Sequence, residues 1–131
     1  RSFDPEVRRR ILDGLKEACE LARAQGGDYV LEVLRGHAAT FNDPLLVDIA
    51  RAAADALGLA VWPERPSPVS EDFSLFSERV PGVYYLIGAA LEDGAPPRQA
   101  HHSRFDFDEA ALPVAAAMYA QVAWEYLSRQ S

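Results

Sequence analysis

The chain of 131 residues is long enough for one domain with a hydrophobic core, and its 49% hydrophobic and 25% charged residues are average for a globular protein. Its 13 basic and 20 acidic side chains give a net charge of −7, which argues against nucleic-acid binding. The single cysteine excludes an internal disulfide, and no apolar run reaches the ~20 residues that a membrane span needs. We therefore expect a cytoplasmic protein that binds neither nucleic acid nor membrane.

The first part of the chain predicts one helix and one strand. Asp4 and Pro5 open a helix over residues 3–25, whose buried stripe is expected to contain Val7, Ile11, Leu15, Ala18 and Ala22. After Gly26-Gly27, residues 28–34 alternate between apolar and polar side chains, which is typical of a half-buried strand. One helix and one strand cannot bury both of their faces, so we expect them to belong to a larger layer.

A connector over residues 36–42 predicts a domain boundary, and helices alternate with apolar segments after it. The order is a helix from Asp43-Pro44 to Gly58, a strand, a short helix, a strand and a last helix, at 43–58, 59–62, 70–78, 83–88 and 108–128. This order predicts an α/β fold, in which the apolar run 83–88 is buried on both faces. Ligands bind beyond the carboxyl ends of such strands, so the loop after 83–88 is expected to hold a site.

That loop leads to two of the three histidines, His101 and His102. Adjacent imidazoles suit metal binding or acid–base chemistry, but one loop cannot supply the three or four protein ligands that a metal site needs. At most one of the pair is expected to bind a metal directly, and its neighbour would contact that ligand or the substrate. The alternative is a solvent-exposed pair without a function.

Acidic residues and the third histidine give weaker signals. Glu71 and Asp72 lie in the first turn of a predicted helix, where the helix dipole alone explains two carboxylates. A functional interpretation requires that they face His102. His37 stands in the connector and is expected to be exposed, and Arg1 has no local interpretation. No phosphate-binding loop, nucleophile elbow or His-Glu-x-x-His motif is present.

Three stretches together resemble one known family. They are residues 1–8, which begin Arg-Ser-Phe-Asp, residues 70–73, which read Ser-Glu-Asp-Phe, and residues 101–109 followed by Ala111-Leu112-Pro113. These resemble motifs of the metal-dependent aminoacylase/carboxypeptidase (amidohydrolase) peptidase family, in its branch of hippurate, N-acyl-amino-acid and auxin-conjugate hydrolases. They occur in the family's order and at about its spacing, and the similarity runs essentially from end to end.

The resemblance implies the C-terminal portion of an α/β catalytic domain together with half of a smaller βαββαβ lid. Residues 1–40 would be the second half of the lid and dimerisation domain, and residues 41–131 would be the C-terminal segment of the catalytic domain. The intact protein would be a homodimeric amidohydrolase or metallopeptidase with one or two divalent metal ions, zinc or manganese. We expect this segment alone to be inactive.

The resemblance also implies roles for individual residues. His102 matches the last metal ligand of the family and His101 is its neighbour at the site. Arg1 matches an arginine that binds the substrate carboxylate, and Glu71 lies near the active site. The glutamate base and the remaining ligands belong to upstream motifs that this chain does not contain, so no catalytic residue is assigned within it. The reaction implied is hydrolysis of an N-acyl amino acid or a related small amide by metal-activated water.

Two segments of the chain depart from the family pattern. Val69-Ser70 replaces a usual Gly-Gly, so the backbone there is less free to adopt positive φ. His37-Ala38-Ala39 replaces a usual aromatic-Pro-Pro, which puts any family role of the connector in doubt. The alternative function is a non-catalytic α/β module for interaction or dimerisation.

Overall fold

The computed structural model describes residues 2–34, 36–63, 66–67, 69–94, 96 and 98–130. Its helices are α1 (Pro5–Ala24), α2 (Pro44–Ala56), α3 (Ser74–Ser77) and α4 (Ala111–Ser128). Two compact units are present: unit 1 spans Arg1–Phe41 and Glu64–Val80, and unit 2 spans Asn42–Pro63 and Pro81–Ser131. None of the four helices combines the length and the apolar composition that a membrane span requires.

The predicted α/β fold, with its catalytic sheet and half of a βαββαβ lid, is wrong: the described residues form helices and no strand. Segments 28–34, 59–62 and 83–88 therefore do not form the expected strands. A strand needs ladder hydrogen bonds from a neighbouring strand. Tyr84 instead donates its main-chain N–H to Asn42 Oδ1 and accepts from Asn42 Nδ2, both at 2.8 Å. One side-chain amide thus satisfies both groups that a neighbouring strand would bind.

The assignment of residues 1–40 to a lid and 41–131 to a catalytic domain stays a prediction. The two compact units are defined by packing within the chain, and packing does not identify the role of a unit.

Local sequence signals set the starts of α1 and α2 as predicted, whereas α3 and α4 begin at Ser74 and Ala111, later than the predicted positions 70 and 108. Asp4 Oδ1 accepts the N–H of Glu6 at 2.7 Å, and Asp43 Oδ1 accepts the N–H of Leu46 at 3.1 Å. These carboxylates satisfy main-chain donors that have no partner inside the helix, and a proline follows each of them. Gly58 has φ +68° just beyond α2, a conformation that glycine adopts at little cost. The predicted starts at Asp4 and Asp43 and the predicted stop at Gly58 are confirmed.

The predicted buried stripe of α1 is wrong. No residue of α1 is buried, and Ile11 and Leu15 remain 47% and 48% exposed. Helical periodicity identifies an apolar face, but a face is buried only where a second element packs against it. In the described part of unit 1, no second helix packs on α1.

Polar contacts connect α1 to the segment that follows it. Arg23 Nε lies 3.1 Å from Asp28 Oδ1, and the guanidinium carbon of Arg23 lies 4.6 Å from the centroid of the Tyr29 ring. The hydroxyl of Tyr29 donates a hydrogen bond to Glu20, which raises the pKa of Tyr29. These groups are exposed, so each contact contributes little to stability, and together they hold residues 28–29 beside the helix.

Unit 2 is organised around the packing of α2 against α4. The buried apolar side chains of the described residues are Ile49, Ala53, Ala54 and Met118. Met118 of α4 clusters with the two alanines of α2, and their small side chains let the helices approach closely. Partly buried side chains pack against this cluster, namely Leu59, Tyr85, Ile87 and Val122.

Residues 83–89 lie on this helix pair with alternating exposure. Tyr85 and Ile87 pack against the core, whereas Tyr84 and Leu86 are 39% and 68% exposed. The prediction that this run is buried on both faces is therefore wrong. The ring of Tyr85 lies 5.7 Å from that of Tyr119. The hydroxyl of Tyr85 is buried and has no hydrogen-bond partner among the described residues, and burial raises the pKa of Tyr85. Residues 83–89 are followed in sequence by the loop that contains His101 and His102.

We predict that Met118→Ala lowers the free energy of unfolding by about 2–3 kcal/mol, because it removes the only buried side chain that α4 contributes among the described residues. Leu127→Ala is the matched control on the same helix. Leu127 is 62% exposed, so its truncation should cost less than about 1 kcal/mol. Urea unfolding of both variants measures the difference. Equal losses would contradict the assignment of Met118 to the core.

Candidate functional site

The two histidines lie where one turn ends and the next begins. The N–H of His102 donates to the carbonyl of Gln99 at 3.1 Å, which closes the first turn. The carbonyl of His102 accepts the N–H of Phe105 at 2.9 Å, which closes the second turn. Main-chain hydrogen bonds therefore fix His102 from both sides, although its side chain is exposed.

His101 has φ +73°, and it is the only non-glycine residue with positive φ in the described part of the chain. It is the third residue of the Gln99–His102 turn, a position where a type II turn needs positive φ and where glycine or asparagine is favoured. Histidine is one of the few other residues enriched there, and the conformation still costs about 1 kcal/mol. No sequence signal predicted it, because turn propensity points to glycine and asparagine.

The imidazole of His102 is engaged by the backbone of its own loop. Nδ1 accepts the main-chain N–H of Arg104 at 3.1 Å. This contact lies within the second turn, which the hydrogen bond from the Phe105 N–H to the His102 carbonyl closes. No pattern in the sequence predicts this hydrogen bond.

A cavity of about 250 Å³ lies in the same loop region of unit 2. Its lining is mostly apolar, and it includes Ile87, Ala89, Leu91, Phe105 and Phe107. The charged lining residues include Asp93 and Arg98, which form an ion pair with 3.5 Å between Oδ2 and Nη2. The hydrogen bond from Asp108 N–H to the carbonyl of Ala89, at 3.0 Å, joins the two sides of this region.

The other candidate residues have local contacts or lie outside the described residues. Glu71 Oε1 accepts the N–H of Phe73 at 3.2 Å, just before the short helix α3, which begins later than the predicted Ser70. This contact supports a structural role, and a role in substrate binding stays a prediction. His37 is exposed, as expected, and its carbonyl accepts from Arg8 Nη1 at 3.0 Å. Arg1 lies outside the described residues.

The resemblance implies a metal ion, and it assigns one described residue, His102, as a ligand. His102 presents an exposed imidazole, a donor that zinc binds readily. Within the ranges that the structure describes, no three or more His, Cys, Asp or Glu residues are grouped so that they could hold a metal ion. The described residues therefore do not form a metal site by themselves, and the assignment of His102 as a metal ligand stays a prediction.

Comparison with known proteins decides which family is present. Residues 6–125 match the family described as Peptidase family M20/M25/M40. The chain belongs to this family. The prediction of an aminoacylase/carboxypeptidase relative is thus confirmed, and the curated relatives of the chain agree with the amidohydrolase branch of the M20 family.

Three relatives illustrate this agreement. A probable hydrolase of Synechocystis sp. is 30% identical over 133 residues, which is 96% of this chain and 33% of that protein. An IAA-amino acid hydrolase of Arabidopsis thaliana is 36% identical over 90 residues, 68% of this chain and 19% of that protein. The N-acetylcysteine deacetylase of Bacillus subtilis is 29% identical over 124 residues, 94% of this chain and 31% of that protein. The chain thus spans no more than about a third of their length, and no solved structure matches it significantly.

We predict that His101→Gly is more stable than His101→Ala by about 1 kcal/mol, because alanine retains the Cβ that makes positive φ unfavourable. The difference in urea midpoint between the two variants measures this effect. The same pair of substitutions at His37 serves as the control, since His37 does not have a positive φ. Should the alanine variant at 101 be as stable as the glycine variant, the left-handed conformation of His101 is wrong.

Proposed function

We propose that this chain is part of a metal-dependent amidohydrolase that cleaves the amide bond of N-acyl amino acids or of related small amides and peptides. The observation that carries the proposal is the family match over residues 6–125, within which His102 presents an exposed imidazole on a defined turn. The printed names of two relatives, an IAA-amino acid hydrolase and an N-acetylcysteine deacetylase, support small amides as substrates.

In the proposed enzyme, His102 contributes one neutral imidazole nitrogen to a divalent cation, zinc or manganese, in a site of one or two ions. Such an ion supplies Lewis acidity, which makes water an effective nucleophile near neutral pH. We propose that the other ligands and a glutamate general base lie in polypeptide outside these 131 residues. The short length of the chain relative to its relatives supports this division of the site.

Substrate binding is proposed to involve three further residues. Arg1 would bind the free carboxylate of the substrate through two parallel hydrogen bonds, the geometry that a guanidinium favours. His101, adjacent to His102, and Glu71 would contact the substrate or orient the metal ligand. The apolar cavity lined by Leu91 and Phe107 gives an apolar substituent a surface to pack on, in the same loop region as His102.

A homodimer is proposed as the assembly, and exposed apolar side chains of unit 1 support it. Val30 is 98% exposed and Leu34 is 85% exposed, values that are unfavourable for large apolar side chains left in water. The same observation favours the second candidate function, a non-catalytic module that associates through residues 1–40.

We predict that His102→Ala lowers the metal content of the intact enzyme about 10-fold or more, since loss of a ligand costs at least as much as disturbing one. The measurement is elemental analysis after equilibration with limiting zinc, accompanied by hydrolysis of an N-acyl amino acid. His37→Ala is the control, because His37 lies in the exposed connector and should leave both readings unchanged.

Two outcomes would contradict the proposal in different ways. Unchanged zinc content in His102→Ala excludes His102 as a ligand. Failure of the intact protein to hydrolyse any N-acyl amino acid with zinc or manganese, combined with dimer formation, favours the non-catalytic module. The 131-residue chain alone should show no turnover, because a single ligand does not retain a catalytic ion.

A further inference from the structure

The cavity of about 250 Å³ in unit 2 lies between two segments of the chain. Some residues of 87–98 supply one part of its lining, and residues 105–107 supply the other. The hydrogen bond from the Asp108 N–H to the carbonyl of Ala89, at 3.0 Å, connects the two segments. An apolar cavity of about 150 Å³ is large enough to hold benzene. The cavity of this chain therefore has room for a single ring with a short substituent.

The charged groups of the lining leave one negative charge without a counterion. Arg98 and Asp93 form an ion pair with 3.5 Å between Nη2 and Oδ2, so their charges offset each other. Asp106 also lines the cavity, and its exposed carboxylate takes part in no ion pair among the described residues. Oδ1 of Asp106 accepts the main-chain N–H of Phe107 at 3.0 Å, which fixes the carboxylate within residues 105–107.

Two phenyl rings lie next to this carboxylate in the sequence and in the lining. The rings of Phe105 and Phe107 stack with their centroids 6.1 Å apart, and Phe105 is 49% exposed. A ligand in the cavity would therefore remove apolar ring surface from water. The face of an aromatic ring also attracts a cation within about 6 Å of the ring centroid. A carboxylate and two phenyl rings together favour a ligand that has an apolar body and a positive charge.

We propose that this cavity is a binding site for a small organic ammonium ion, such as an aralkylamine. The ammonium group contacts the carboxylate of Asp106, and the apolar body packs on Phe105 and the aliphatic lining. An organic anion is disfavoured, because it would have to displace Asp93 from Arg98 in the presence of two carboxylates. The inference goes beyond the proposed function and does not rest on it, since described residues of unit 2 form the whole site and no metal ion takes part.

The test compares three probes that share one ring and differ in charge: benzylamine, benzyl alcohol and benzoate. Each is titrated into the ¹⁵N-labelled 131-residue chain, and the amide signals of Ala89, Leu91 and Phe107 report binding in the cavity. We expect benzylamine to bind with a dissociation constant on the order of 1 mM, as suits a ligand of few atoms. It should bind about 2- to 5-fold more tightly than benzyl alcohol, and benzoate should bind most weakly.

Substitution of Asp106 identifies the source of this preference. Asp106→Asn keeps an oxygen that can accept the Phe107 amide and removes the charge. It should weaken benzylamine binding about 2- to 5-fold and leave benzyl alcohol binding unchanged. Asp48→Asn is the matched control, because Asp48 is exposed on α2 of the same unit and lies outside the cavity lining. The control should leave the binding of both probes unchanged.

Three results would overturn the inference: benzylamine binding no more tightly than benzyl alcohol or benzoate, an equal effect of Asp106→Asn on benzylamine and benzyl alcohol, or no benzylamine-induced shift at the three cavity amides. None of them bears on His102. Conversely, unchanged zinc content of the intact enzyme with His102→Ala would refute the proposed function and leave benzylamine binding as it is. The two failures are therefore distinguishable.

Discussion

The packing of α2 against α4 is the contact on which unit 2 depends. Met118 reaches Ala53 and Ala54, and this small cluster supplies most of the buried apolar side chains in the described residues. Residues 83–89 lie on it through Tyr85 and Ile87. Those residues lead into the loop that ends at His102, so the position of the candidate site follows from a core of a few side chains. Loss of this contact would release the loop as well as the helices.

The sequence predicted the local features of the fold well and the tertiary ones poorly. Asp4 and Asp43 were recognised as helix caps because capping depends on only a few consecutive residues. The run 83–88 predicts a buried strand, because apolar, β-branched and aromatic residues favour one. In the structure the side-chain amide of Asn42 binds both main-chain groups of Tyr84, across 42 residues of sequence. Periodicity contains no information about such a partner.

In the candidate site, too, the sequence predicts some features and not others. The stretches at residues 1–8, 70–73 and 101–113 together suggested the family, and the match over residues 6–125 confirmed it. These stretches could not show that His101 adopts φ +73° or that the amide of Arg104 occupies Nδ1 of His102. Both features come from main-chain turns, and the residue types at these positions do not specify them.

The most direct test of the central claim, that His102 supplies a metal ligand, is a crystal structure of the zinc-loaded intact enzyme. The account predicts a His102 nitrogen about 2.0–2.1 Å from the zinc ion, the usual zinc–imidazole distance. A fully coordinated zinc ion without His102 among its ligands would contradict the claim.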